Sequence, residues 1–276
     1  AHDGTNLPVF SGSPSYAYDI NNEGIVIGLS SGSAKMKDLD TGVETSINGG
    51  FTPRAINDAG RIVGSRVYWD NGNITLMGNL GVSGSTRAQD INNNDRVVGY
   101  SYPTPGAQHA FSWDLAGGIV DLGTLGGSIS AANAINDAGV IVGWAANASS
   151  SLRAALWDPV DGVLDLNDNV EDLTGWDTLK EAHDINASGQ IVGWGVTADG
   201  DKHAFLLSPV APPVAGDVNL DGAVTVADVL LAQRQVLGLI VLTQQQIDRG
   251  DLYPDGGDGV ISQSDVLLLT KLALTK

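Results

Sequence analysis

The chain has 276 residues, no cysteine and a formal net charge of −18. At roughly 150 residues per domain, this length predicts about two domains. The negative charge argues against a nucleic-acid partner, whose phosphates need basic side chains, and the missing cysteine excludes disulfides and thiolate metal sites. Because no apolar run approaches the ~18 residues that a spanning helix needs, we also expect no membrane span.

A ten-residue motif occurs five times between residues 19 and 193. The copies AINDAGRIVG at 55–64 and AINDAGVIVG at 134–143 differ at one position. All five copies share an asparagine and a closing glycine. The asparagines are Asn21, Asn57, Asn92, Asn136 and Asn186, and the glycines are Gly28, Gly64, Gly99, Gly143 and Gly193. Such self-similarity at intervals of 35 to 50 residues predicts a repeat architecture.

Each copy has the pattern of a β-hairpin. Four copies have glycine at the end of a short polar turn, where a positive φ is needed, and the third has Asp95 instead. The β-branched run that follows is typical of a buried strand. Further strands follow in most units, as in HAFSWD at 109–114 and GIVDLGTLGG at 118–127.

The repeat unit is therefore three or four antiparallel strands in some forty residues, which is the size of a propeller blade. We expect a mainly β fold with a five-bladed β-propeller over residues 1–210. A parallel β-helix is the alternative. The segment NLPVFSG is expected to close the ring by completing the last blade.

The motifs AIND-x-G-x-IVG, HAF-x-W-D and DLGTLGG resemble the bacterial extracellular HAF repeat. The resemblance covers about three quarters of the chain. It implies a secreted, extracellular protein but no defined activity.

A proline-rich linker at 211–216 separates this region from a different pattern at 217–276. Oxygen-bearing residues, a glycine and a carboxylate follow Asp217 with the spacing of an EF-hand-like calcium loop. The candidate ligands are Asp217, Asn219, Asp221, the carbonyl of Ala223 and Asp228.

A second, longer loop begins at Asp251 and ends in another helical pattern. Its candidate ligands are Asp251, Tyr253, Asp255, Asp258, the carbonyl of Val260 and Asp265. The sequence therefore predicts two Ca²⁺ sites in residues 217–265.

Two loop–helix units in sixty residues resemble a type I dockerin, over residues 216–276. The resemblance implies a small α-helical calcium-binding domain that docks to a cohesin on another protein. It places recognition at Val226, Ala227, Gln263 and Ser264, which differ from the Ser/Thr pairs of cellulosomal dockerins. The alternative is a calcium-stabilised tail without a partner.

Three aspartates stand two residues before the repeated asparagine, namely Asp19, Asp90 and Asp184. If these strand ends approach a common axis, the carboxylates could act as catalytic groups of a glycoside hydrolase or hold a cation. Alternatively, each aspartate caps its own turn.

Aromatic residues follow the closing glycine in three units, at Tyr100, Trp144 and Trp194. They are candidates for stacking on sugar rings, and the alternative is packing within the blades. A variable polar column is a candidate pocket lining: Tyr18, Arg54, Gln89, Asn133 and His183.

Together these features predict a secreted, non-catalytic binding or scaffolding protein with a calcium-dependent docking module. Polysaccharide is the ligand that the dockerin resemblance favours. The alternatives are a propeller-type glycoside hydrolase that uses Asp19, Asp90 and Asp184, and a structural matrix or adhesion protein.

Overall fold

A computed structural model describes residues 10–81, 85–158, 162–170, 172–209, 215–220, 223–252 and 259–274. These residues form nineteen β-strands and three α-helices, so the chain is mainly β. The chain divides into two compact units after Pro209. In the described part of the chain, no helix is long and apolar enough to cross a membrane.

The first unit contains five antiparallel meanders, in which consecutive strands are neighbours. The first two sheets contain β1 (Ser15–Ile20), β2 (Ile25–Ser30), β3 (Ser33–Asp38) and β4 (Glu44–Ser46), then β5 (Ala55–Ile56), β6 (Ile62–Gly64), β7 (Val67–Asp70) and β8 (Asn73–Leu76). The third sheet contains β9 (Thr86–Ile91), β10 (Val97–Thr104), β11 (Ala107–Asp114) and β12 (Gly118–Gly123).

The fourth sheet contains β13 (Gly126–Ile135), β14 (Ile141–Asn147), β15 (Leu152–Asp158) and β16 (Gly162–Asp165). The fifth contains β17 (Trp176–Ile185), β18 (Ile191–Thr197) and β19 (Lys202–Leu207). One parallel bridge, between Gln108 and Ile129, links the third sheet to the fourth. The antiparallel meanders agree with the predicted repeat unit and exclude the parallel β-helix.

The hairpin turns have the backbone conformation that the sequence predicted. Gly24, Gly60, Gly139 and Gly189 have φ between 73° and 86°, and Asp95 has φ 60°. Only glycine adopts this left-handed region without a steric penalty, although aspartate tolerates it better than most residues do.

The closing glycines are required by a close approach of the backbone. A Cβ at any of the five positions would come within 1.9 to 2.1 Å of the carbonyl oxygen of the residue twelve positions earlier. Any side chain there would push the two chain segments of the hairpin apart. This contact explains why all five repeats end in the same residue.

Four hydrophobic clusters join consecutive sheets. Phe51 and Trp69 belong to the cluster between the first and second sheets, while Tyr68, Phe111 and Trp113 belong to that between the second and third. Corresponding clusters join the third sheet to the fourth and the fourth to the fifth. Among the described clusters, none joins the fifth sheet to the first.

The predicted closing strand lies largely outside the described residues, because NLPV belongs to the segment 1–9. The part of that segment that is described contacts the first sheet. Ser11 donates its backbone N–H to the Glu44 carboxylate, and Gly12 donates to Ser30 Oγ, both at 3.0 Å. The described residues therefore do not show a closed propeller.

The second unit contains three helices, α1 (Val226–Val236), α2 (Gln244–Gly250) and α3 (Gln263–Leu274). Two begin with a capping box, formed by Thr225 with Asp228 and by Thr243 with Gln246. These reciprocal bonds satisfy backbone donors that the first helical turn leaves free. The core of the unit contains Val218, Val224, Val229, Ala232, Leu242, Ile261 and Leu269.

Candidate functional site

The described part of the second unit buries four carboxylates. They are Asp217, Asp228, Asp251 and Asp265, which are 1%, 0%, 8% and 0% exposed. Removing a carboxylate from water is costly unless hydrogen bonds, an ion pair or a metal compensates it. The surroundings of each carboxylate therefore show what the unit needs in order to fold.

Asp228 and Asp265 occupy equivalent positions in the two loop–helix segments. Asp228 Oδ1 accepts from the Asn219 N–H at 2.9 Å, and Asp228 Oδ2 accepts from the Thr225 N–H at 2.7 Å. The same two bonds recur at Asp265, from the N–H groups of Leu252 at 2.6 Å and Ser262 at 2.7 Å. Each carboxylate thus ties the start of its loop to the start of the following helix.

The other two carboxylates begin the loops. Asp217 forms an ion pair with Arg249, whose Nη1 lies 3.5 Å from its Oδ2. Asp251 Oδ2 accepts from the N–H groups of Gly259 and Val260. In contrast, Asp251 Oδ1 is buried without a hydrogen-bond partner among the described residues.

This buried oxygen is the observation that fits a cation. A hard cation such as Ca²⁺ takes six to eight oxygen ligands, and carboxylates are the preferred ones. Seven of the predicted ligands lie in the described part of the chain: Asp217, Asn219, Ala223, Asp228, Asp251, Val260 and Asp265. The others, Asp221, Tyr253, Asp255 and Asp258, lie outside it. Within the described ranges alone, no three acidic or histidine side chains form a metal-binding group.

A groove lies between α1 and α3. It has a volume of about 550 Å³ and is lined by Gln233, Val236, Leu237, Gln263, Val266, Leu267 and Thr270. Leu237 and Leu267 remain 68% and 59% exposed. Of the recognition residues that the dockerin resemblance implied, Gln263 lines the groove, and Val226, Ala227 and Ser264 are exposed elsewhere on the unit.

In the sheet unit, the aspartate column bonds to the backbone. Asp19, Asp90 and Asp184 each accept at Oδ1 from the N–H of the residue that follows, at 2.8 Å. The second oxygen of Asp19 accepts from the Ile56 N–H in the next sheet, and that of Asp90 from the Ile135 N–H, both at 2.8 Å. Two of the three aspartates therefore link consecutive sheets in addition to capping their own turns.

These carboxylates are close enough to influence one another. Burial, with smaller contributions from the charges of Asp19 and Asp184, raises the pKa of Asp90 to about 7. Burial also raises the pKa of Asp19, to which Asp184 adds a smaller contribution. Their convergence on a common catalytic or cation site stays a prediction.

The asparagine column has a role that sequence reasoning did not assign. Asn21, Asn57, Asn92 and Asn136 each donate from Nδ2 to the backbone oxygen of the next asparagine in the series, at 3.0 to 3.3 Å. Their Oδ1 atoms accept from the N–H four residues later and close the turn. The last member, Asn186, donates instead to Gln190 of its own turn. One side chain per repeat thus closes a turn and joins neighbouring sheets.

A cleft of about 750 Å³ opens on the first three sheets. Tyr18, Arg54 and Gln89 of the variable polar column line it, together with the predicted aromatic Tyr100. From the same column, Asn133 lies outside the cleft lining and donates to the Glu181 carboxylate and to the Ala182 carbonyl. His183 is exposed outside the lining.

The two predicted tryptophans lie outside this cleft. Trp194 donates from Nε1 to Glu181 at 3.0 Å, and Lys202 Nζ lies 3.7 Å from the centre of its ring. One ring face is therefore already covered. Trp144 is half-buried, opposite Ala131 and Ala154 in the neighbouring strands.

Comparison with known proteins identifies the second unit. Residues 215–274 match the profile of the dockerin type I domain. Domains of this type bind calcium and dock to cohesin domains, and they occur in extracellular assemblies. The predicted dockerin module is thereby confirmed, whereas this match does not extend to the HAF-type repeats.

The sheet unit has weaker likenesses. The chain is 18% identical to TolB from Acinetobacter baumannii, with a TM-score of 0.46 over 72% of this chain and 53% of that one. It is 12% identical to a mutant Aleuria aurantia lectin in complex with alpha-methyl-L-fucoside, with a TM-score of 0.32 over 70% of this chain and 72% of that one. These values are too low to define the fold. The curated proteins contain no match to this chain.

Proposed function

We propose that the chain is a secreted, non-catalytic binding protein. A dockerin module at residues 217–276 docks it to a cohesin domain, and a five-bladed propeller at residues 1–210 binds an extracellular polysaccharide. A linker at 211–216 joins the two. The observation that carries the docking half of this proposal is the exposed apolar groove between α1 and α3 beside four buried carboxylates.

The module would hold two calcium ions, one in each loop. Asp217, Asn219, Asp221, the Ala223 carbonyl and Asp228 would contribute to the first site. Asp251, Tyr253, Asp255, Asp258, the Val260 carbonyl and Asp265 would contribute to the second. The metal would supply the positive charge that buried oxygens such as Asp251 Oδ1 lack. Holding both loops in place would in turn position α1 and α3 on either side of the groove.

The docking proposal is tested by titrating the full chain with a type I cohesin domain, with calcium and with a chelator. Leu267→Lys places a charge in the groove and should weaken binding on the order of a hundredfold, since a charge on the apolar centre of an interface is strongly unfavourable. Val241→Lys is the matched control, because Val241 is 94% exposed and lies between α1 and α2. Equal affinities of the two variants, or calcium-independent binding, would refute groove-mediated docking.

The propeller proposal rests on the series of sheets. Each of the first four sheets packs on the next through a hydrophobic cluster, and an asparagine in each of the first four turns bonds to the following turn. Packing the fifth sheet on the first would close this series and cover both of its ends. A crystal structure of the sheet unit tests this directly. An open array of five sheets would reject it.

Polysaccharide binding is tested by mixing the purified chain with soluble and insoluble polysaccharides in calcium. Depletion of the protein without new reducing ends is the expected result. The glycoside hydrolase alternative is favoured by the burial of Asp90, which raises the pKa of its carboxyl to about 7, a value that suits a general acid. New reducing ends that disappear in Asp90→Asn would establish that alternative. The absence of both signals would favour the matrix or adhesion protein.

A further inference from the structure

The cleft on the first three sheets contains a concentration of positive charge. Arg54, Arg66 and Arg87 all line it. They come from three different places in the fold: Arg54 immediately precedes β5, Arg66 immediately precedes β7, and Arg87 lies in β9. Three of the eight arginines of the chain therefore converge on one concave surface.

These arginines differ from others in the sheet unit in their partners. Arg61 is paired with Asp70 and Asp95, and Arg153 with Asp165. Among the described residues, none of the three cleft arginines is paired with a carboxylate, and no acidic side chain lines the cleft. Their guanidinium groups are thus available to a ligand.

The charge of the whole chain does not cancel this local charge. Although the chain carries −18 overall, charges in solution are screened beyond about 8 Å at physiological salt. A ligand inside the cleft therefore experiences mainly the three guanidinium groups. A positively charged cleft attracts anions, which the negatively charged rest of the surface repels.

The other residues that line the cleft indicate what kind of anion it suits. Tyr18 and Tyr100 contribute aromatic rings, and Tyr18 is 38% exposed. Gln89 Oε1 accepts from Arg54 Nε at 3.0 Å and orients that guanidinium. Arginine binds planar carboxylates through two parallel hydrogen bonds, and tyrosine combines an apolar ring with a polar tip. The volume falls within the roughly 300–1,000 Å³ that is usual for small-molecule sites.

We propose that this cleft binds the carboxylate groups of an acidic polysaccharide, with the arginines on the uronate carboxylates and the tyrosines on the sugar rings. The proposal rests on the proposed polysaccharide-binding function and names the class of sugar. Of the three aromatic residues that the sequence offered for stacking on sugars, only Tyr100 belongs to this site, whereas Trp144 and Trp194 lie outside it.

The test is calorimetric titration of the full chain, in calcium, with short galacturonate oligosaccharides and with the same oligosaccharides after methyl esterification. Esterification removes the charge and keeps the sugar. The acidic form is expected to bind at least about tenfold more tightly, because each charge-assisted hydrogen bond contributes on the order of a factor of ten. Rising salt concentration should lower the affinity for the acidic form and leave that for the esterified form unchanged.

Variants assign the binding to the cleft. Arg66→Gln and Arg87→Gln should each lower the affinity for the acidic oligosaccharide on the order of tenfold, because each removes one guanidinium group. Both side chains are exposed, so the fold is expected to survive, which circular dichroism verifies. Lys180→Gln, which removes one positive charge in β17 outside the cleft, is the matched control and should bind like the wild type.

The outcomes separate this proposal from the one on which it rests. If neutral and acidic sugars bind equally, or if the cleft variants bind like the wild type, the proposal that the cleft recognises acidic sugars is wrong. The proposal that the chain binds polysaccharide then still stands. If no saccharide of either kind binds, both are wrong. If dextran sulfate binds through the arginines and galacturonates do not, the cleft recognises sulfate rather than carboxylate, and the assignment to uronates is overturned.

Discussion

The two units of this chain compensate their buried polar groups in opposite ways. In the sheet unit, asparagine and aspartate side chains form hydrogen bonds with the backbone of the next sheet. In the helical unit, four buried carboxylates surround two loops, and one oxygen of Asp251 has no partner. The first solution needs only repetition of the chain, whereas the second needs an ion.

Size accounts for this difference. A five-sheet unit buries a large apolar core in four clusters, so single hydrogen bonds adjust a fold that the core already stabilises. A unit of about sixty residues without disulfides has a core that rarely supplies more than about 3–5 kcal/mol. Metal binding is then part of its folding free energy.

The largest expected effect is that of removing calcium. A chelator should abolish the helical circular dichroism of the full chain and leave the β-sheet signal, because the candidate calcium ligands Asp217, Asp228, Asp251 and Asp265 are buried in the helical unit. Each site at 100-fold excess of calcium over its dissociation constant contributes about 2.7 kcal/mol. Adding calcium back should restore the helices. Retention of the helical signal in chelator would show that the module folds without metal and remove the contrast between the units.

The next effect is a pH dependence confined to the sheet unit. The pKa of Asp90 rises from its ordinary value of 3.8 to about 7 on folding, chiefly through burial. The folded chain therefore binds this proton more tightly than the unfolded chain does. The stability that this carboxyl contributes is fully present below about pH 4 and is lost as the pH rises through about 7, by on the order of 4 kcal/mol. The raised pKa of Asp19 acts in the same direction.

Chemical denaturation of the sheet unit between about pH 5 and pH 8 measures this slope. Asp90→Asn should flatten it, whether or not the variant is less stable at every pH. Asp199→Asn, which changes an exposed carboxyl outside the aspartate column, is the control and should keep the slope. An unchanged slope in Asp90→Asn would mean that this carboxylate is ionised in the folded protein.

The asparagine series provides a comparison within the sheet unit. Asn57 donates to the Asn92 oxygen at 3.1 Å and to Asp95 at 2.7 Å, and it accepts from the Arg61 N–H at 2.9 Å. Because it is buried, Asn57→Ala should lower the free energy of unfolding by about 2–3 kcal/mol. Asn186→Ala, at the exposed end of the series, should cost less than about 1 kcal/mol. Equal costs would show that the bonds between sheets contribute nothing beyond closure of the turns.

The smallest effect concerns a helix cap in the calcium-bound module. Thr243 accepts from the Gln246 N–H at the start of α2, so Thr243→Ala should destabilise the helical unit by about 1 kcal/mol. Thr243→Ser keeps the hydroxyl and should behave nearly as the wild type. The thermal transition of the β-sheet signal should not move in either variant. A shift there would indicate that the two units unfold together.

Several of these features were readable in advance because they are local. The positive φ of Gly60 depends on the turn in which it lies, and the spacing from Asp217 to Asp228 depends on one loop and the helix that follows. The antiparallel meanders follow from short strands with tight turns. Features that join distant residues were not readable. The sequence pointed to an asparagine column without revealing that its members bond to one another across 35 to 50 residues.

The closing glycines and the aromatic positions show the same limit. The repeated glycine was visible as a column in the sequence. The structure shows why glycine is needed there: the carbonyl oxygen of the residue twelve positions earlier lies against it, as at Gly99, where the register of the hairpin shifts. Tyr100, Trp144 and Trp194 were equivalent in the sequence. In the structure, only Tyr100 lines the cleft, because each sheet has different neighbours.

The sequence by itself determined the fivefold repeat, the turns, the two units and the calcium-type loops, since each follows from short motifs of about a dozen residues that can be read directly along the chain. The tertiary structure decided what the repeated side chains do. Asp19 and Asp90 accept hydrogen bonds from isoleucine N–H groups of the next sheet. In those sheets, Ala55 and Ala134 occupy the equivalent positions and offer no carboxylate of their own to the isoleucine. Likewise, Arg54, Arg66 and Arg87 converge only because packed sheets bring separate segments to one surface. Spacing along a chain specifies local geometry, whereas partners between sheets exist only after the sheets have packed.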